Sequence, residues 1–190
     1  QVPWGEDLRT GETWRWVPGF ASKLDVYLRI RDPSDDDALI AQLLRTMIRQ
    51  HLQTELREGE EKLVYSVYVS RLSARGQMVV RIHVPFNGPE RERVEGVVFG
   101  FLDDLRHGRE PERTRELLDQ ITTGFIRDAS KVESLISWAD QMPYAQMATP
   151  PDPVAMAEAL TPQRLADWMQ ERAPVEDRWV VHRQAALWFP

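Results

Sequence analysis

The residues best suited to chemistry flank a polar connection at positions 56–70, LREGEEKLVYSVYVS. Arg57 stands where a helical run ends, and Tyr65 and Tyr68 stand in the β-rich stretch that follows. A guanidinium fits a carbonyl or carboxylate, and a phenol is a neutral donor suited to a developing oxyanion. Packing has its own reading of the same residues. A cation just past a helix end is favoured by the helix dipole. Two tyrosines three apart on a strand fall on opposite faces, so one is expected in the core and the other facing solvent or a ligand. Residue types alone leave both readings open.

Other catalytic arrangements find little support. The histidines are His51, His83, His107 and His182, and no two have the i, i+4 spacing that puts two imidazoles on one helical face. Neither H-E-x-x-H nor H-x-x-E-H occurs. His51 and Glu55 share a helix face, which reads as a solvated pair rather than a metal site. His83 alternates with apolar neighbours and reads as a partly buried structural histidine. No metal ligand set and no cofactor is expected within this chain. Cysteine is absent, which excludes disulfides, thiolate zinc sites and cysteine nucleophiles. There is no G-x-S-x-G, no G-x-x-x-x-G-K and no G-x-G-x-x-G. The pair Asp103-Asp104 points two ways on a helix and reads as a solvated face.

The elements that would position Arg57 and the tyrosines follow from periodicity. Ser22–Arg31 alternates, with Leu24, Val26, Leu28 and Ile30 on one side of a half-buried strand. Asp32-Pro33 breaks it, and Ser34 or Asp35 caps a helix running from about Ala38 to Leu56. Val64–Ser73 and Gln77–Phe86 read as an antiparallel hairpin. Glu90–Leu105 and Pro111–Ala129 carry helical stripes, and Ser130–Gln141 reads as a further helix. Pro143–Pro153 reads as a surface loop. Thr161-Pro162 starts a helix that ends near Pro174, and Arg178–Arg183 reads as a last strand. The order implies α+β: an antiparallel-rich sheet with helices on one face, β-α-β-β-α-α-α-β. Residues 1–18 are assigned to a linker or arm, although Trp14, Trp16 and Phe20 around Pro18-Gly19 suggest a short aromatic strand and turn. Residues 19–190 are expected to form one domain.

Bulk properties set the outer bounds. With 190 residues the chain can bury a sizeable core. Its 42% hydrophobic and 28% charged residues are ordinary for a soluble protein. A net charge of −6 argues against nucleic acid as a primary partner, and no apolar run approaches the ~18 residues of a membrane span. The chain opens on Gln1, which suggests a processed or trimmed piece of something longer.

Leu56-Arg57-Glu58 followed by Tyr65-Ser66-Val67 resembles the segment L-R-E-x-x-G-L-A-Y-S-V found in the C-terminal half of M16 zinc metallopeptidases, the pitrilysin, insulinase and processing-peptidase family. The similarity extends in order from about Gly19 to His182, through SKLDVYLRI, the acidic-capped helix, the hairpin and ALTPQRLADWM. The resemblance implies a zinc-free C-terminal domain of a bacterial peptidase, with zinc held through H-x-x-E-H in an N-terminal catalytic half. The two halves would close over a peptide substrate. By position, Tyr65 would donate to the oxyanion of the tetrahedral intermediate, and Arg57 would hold a substrate carbonyl or set the loop. The family's arginine and tyrosine are usually seven apart and here they are eight, with Gly59 displaced upstream. The alternatives are a structural or interaction domain that kept this fold without a role in proteolysis, and an unrelated α+β ligand-binding domain; a homo-oligomer stays open in each case. Periplasm and cytoplasm both stay open.

Overall fold

A computed structural model of the chain describes residues 10–18, 21–59, 61–74, 77–129, 155 and 158–186. The expected helix at Ser130–Gln141 and the loop at Pro143–Pro153 lie outside them.

Alternation sets the sheet. Strands β1 (Gly11–Pro18), β2 (Ser22–Ile30), β3 (Tyr68–Ala74), β4 (Gln77–Phe86) and β5 (Arg178–Ala186) form one five-stranded sheet in the order β1-β5-β2-β4-β3. The β1–β5 pair is parallel and the other pairs are antiparallel. On one face of the sheet, Leu24, Val26, Leu28 and Ile30 of β2 join Met78, Val80, Ile82 and Val84 of β4, all buried. Among the described residues four helices complete that core: α1 (Asp35–Leu52), α2 (Arg91–His107), α3 (Pro111–Ala129) and α4 (Pro162–Arg172). The α+β class and the placement of helices on one face are as the sequence implies.

Local signals fix the helix ends. Of the two candidate caps for α1 it is Ser34 that serves. Its hydroxyl accepts from the Asp37 amide at 3.3 Å, and Asp37 Oδ2 accepts from the Ser34 amide at 2.7 Å. The other oxygen of Asp37 accepts from Trp168 Nε1 of α4 at 2.5 Å, so a capping box also ties two helices together inside the core. Gly108 closes α2 at φ 62, a left-handed conformation suited to glycine. Thr161 caps α4 with Pro162 in its first turn, as the dipeptide suggests.

Residues 11–18, read as part of a linker or arm, instead form the edge strand β1, held by parallel pairing with β5. Two boundaries also depart from the sequence reading. The first strand of the hairpin begins at Tyr68, not Val64. Val64 forms only an isolated bridge to Phe86, and the chain bends before β3 starts. A β-rich composition is therefore no guarantee of pairing. The second departure is at the end of α1, which continues as a π-helical segment over Gln53–Glu58.

Candidate functional site

The π segment and the bend bracket the candidate site. A π turn carries an i→i+5 bond and so widens a helix by one residue, a local feature that often accompanies function. Leu56 and Val64 are both buried, and the Val64 amide donates to the Leu56 carbonyl at 3.1 Å. This bond closes the connection at its neck. The next residue on each side is Arg57 or Tyr65, and both are exposed, Tyr65 at 82%. Arg57 and Tyr65 thus stand between a π-wound helix end and a closed loop.

The loop inside that neck is tightly specified. At Gly59 an added Cβ would lie 2.7 Å from the Glu55 carbonyl oxygen, inside any real contact distance. Lys62 turns the chain at φ 42 and donates its amide to the Gly59 carbonyl at 3.3 Å. Glu61 forms an ion pair with Arg93 of α2, which fastens the loop to the start of that helix.

Tyr65 and Tyr68 do not divide between core and solvent as strand alternation suggests. Tyr65 precedes the strand, so the alternation does not reach it, and both rings are exposed. Tyr68 lies on the helix-free face of the sheet, tilted against His83 at 5.8 Å. His83 is partly buried, and its Nδ1 lies 2.9 Å from Asp25 Oδ1.

His51 and Glu55 are not a solvated pair. His51 is buried, stacked on Phe101 of α2 with ring centroids 3.7 Å apart. Arg113 of α3 reaches both, with Nη2 3.2 Å from His51 Nδ1 and an ion pair to Glu55. Burial, aided by the neighbouring Arg113 charge, pushes the His51 pKa down to about 4, so the ring is neutral near pH 7. Its role is to lock the helix end that carries Arg57. Among the described residues no group of three or more His, Asp or Glu side chains could hold a metal ion, and no helix is long and apolar enough to cross a membrane.

Sequence reasoning also passed over a polar cluster on the helix-free face. Asp25 is fully buried there, and its Oδ1 accepts from Arg81 Nε at 3.0 Å and Nη2 at 2.6 Å. Arg183 Nε lies 3.1 Å from Oδ2, an ionic contact outside hydrogen-bond geometry. Burial works to raise the carboxyl's pKa, but the hydrogen bonds from His83 and Arg81 outweigh it and hold it below the usual range. Period-2 alternation places Asp25 on this face, yet only the strand register brings its partners to it.

No protein-family model matches the chain, and no curated protein does. Its fold does match solved structures. A peptidase M16 inactive domain from Pseudomonas fluorescens superposes at TM-score 0.71 and 17% identity, over 93% of this chain and 44% of that one. A protease from Helicobacter pylori gives TM-score 0.71 at 13% identity, over 92% of this chain and 45% of that one. The ferredoxin protease FusC, solved with Arabidopsis ferredoxin, gives 0.65 at 10% identity, over 93% of this chain and 20% of that one. This chain thus spans less than half the length of each of these. At such identities the likeness establishes the fold alone: that of M16 peptidases and their inactive domains.

Proposed function

We propose that this chain is a non-catalytic, zinc-free M16-like domain that completes a peptidase chamber opposite a zinc-bearing half and contacts the peptide held between them. Arg57 and Tyr65 are its contacts to substrate. The observation that carries this reading is the bond from the Val64 amide to the Leu56 carbonyl, which sets both side chains at the exposed neck of one loop. It does so on a fold shared with an inactive M16 domain. A phenol there is a preorganised neutral donor for an oxyanion, and a guanidinium orients a carbonyl without taking part in proton transfer. The chemistry itself, including zinc-bound water and its general base, belongs to the other half. This chain supplies position and hydrogen-bond donors.

The test is turnover by the longer peptidase of which this chain would be the C-terminal part. Tyr65→Phe removes one donor and should slow turnover by about 10²-fold, and Arg57→Ala should weaken substrate use by about tenfold. Unchanged turnover in both variants overturns the reading. By itself the chain should neither bind zinc stoichiometrically nor cleave peptide.

A further inference from the structure

We propose that the end of the helix-free sheet face nearest the Arg57–Tyr65 loop binds a carboxylate-rich stretch of peptide through Lys23, Arg183 and Arg15. This rests on the reading of the chain as a substrate-contacting domain, and names the class of substrate segment it takes.

The strand register creates the site. Arg15 pairs with Arg183 across β1–β5, and Arg183 pairs with Lys23 across β5–β2. Three cations therefore lie side by side on three neighbouring strands, an arrangement that costs stability because like charges directly opposite repel. Only one of the three has an anion to answer it: Arg183 reaches the buried Asp25. Among the described residues Arg15 and Lys23 have no ion-pair partner.

The imbalance extends over the face. Among the described strand residues, alternation and register put Arg15, Lys23, Arg29, Arg81 and Arg183 on it against the single carboxylate Asp25, which is already bonded to Arg81. Among the described residues this face thus carries five cations in a chain with a net charge of −6. Solvation alone does not call for that arrangement, whereas an anionic ligand does.

The row spans two inter-strand spacings, about 10 Å, which suits alternate acidic side chains about 7 Å apart on an extended segment.

The experiment is fluorescence binding to the 190-residue chain, with its fold checked by circular dichroism. The probes are a labelled extended peptide carrying alternate glutamates, its glutamine counterpart, each with free and amidated C-termini, and a single-stranded oligonucleotide. The glutamate peptide is expected to bind, more weakly as ionic strength rises, and the amidated glutamine peptide is not. Lys23→Glu and Arg15→Glu, each on a residue that holds nothing else in place, should each weaken the glutamate peptide about tenfold. Binding that follows the glutamates assigns the site to side-chain carboxylates and supports the proposal, whereas binding that follows the free terminus alone overturns it. Equal binding of glutamate and amidated glutamine peptides, indifference to both charge reversals, or capture of the oligonucleotide in place of the acidic peptide overturns it. Since turnover is not the readout, a failure here leaves the roles of Tyr65 and Arg57 standing, and a failure of those roles leaves acid binding measurable.

Discussion

The two ends of α1 are built to opposite purposes. At the N-terminus the capping groups are answered: Ser34 and Asp37 cap each other, and the second Asp37 oxygen takes the buried Trp168 indole. At the C-terminus the helix widens into a π turn, the loop carries a non-glycine residue at positive φ, and two large polar side chains stand exposed. Regular hydrogen bonding is given up there, yet the turn is not left loose. Phe101, Arg113 and Arg93 hold it from two other helices. The lesson is that one end stores stability while the other spends regularity to present Arg57 and Tyr65.

Breaking the first end should cost the most stability. Asp37→Ala removes a cap and leaves an indole N–H unpaired in the core, together about 3 kcal/mol. Urea unfolding measures that loss, and activity per folded molecule should not change. A smaller effect is expected at the opposite end on acidification. The folded His51 pKa of about 4 lies below the ordinary 6.5, so its contribution is fully present above pH 6.5. As pH falls from there the unfolded chain takes up the proton first, and stability declines until about pH 4. The loss is roughly 2–3 kcal/mol, and a pH series of unfolding curves should be correspondingly flatter for His51→Leu. Asp25, whose pKa is lowered, acts at lower pH: its contribution holds above the ordinary carboxyl range and fades as pH falls through its folded value. The smallest stability effect is expected at Gly59. A methyl 2.7 Å from the Glu55 carbonyl must displace the loop, at about 1–2 kcal/mol. Unlike Asp37→Ala, Gly59→Ala should also lower turnover of the peptidase, because the displaced loop carries the neck between Arg57 and Tyr65.

The same contrast explains what could be read in advance. Helix starts carry chemical signatures: Ser34, Pro111 and Thr161-Pro162 each mark a terminus found where the sequence places it. The end of α1 carries none. Leu52 and Leu56 continue the apolar stripe whether the backbone is α or π, so the widening is invisible. His51 sits on that same stripe, three residues after Ile48, and the spacing could have flagged its burial. Composition places Tyr65 on a strand because valine and tyrosine favour strands, while the bend at that point depends on tertiary pairing of Val64 with Phe86. The cationic row was beyond reach for a simpler reason. Arg15, Lys23 and Arg183 come from the two ends of the chain, and only the register places them together.

The central claim is that Tyr65 donates to a transition state formed on zinc-bearing machinery outside this chain. Steady-state kinetics of the full peptidase with Tyr65→Phe tests it most directly. The account predicts that kcat falls by about 10²-fold with KM little changed, since the lost bond forms only in the transition state. A raised KM with unchanged kcat, or kinetics identical to the parent, would contradict it.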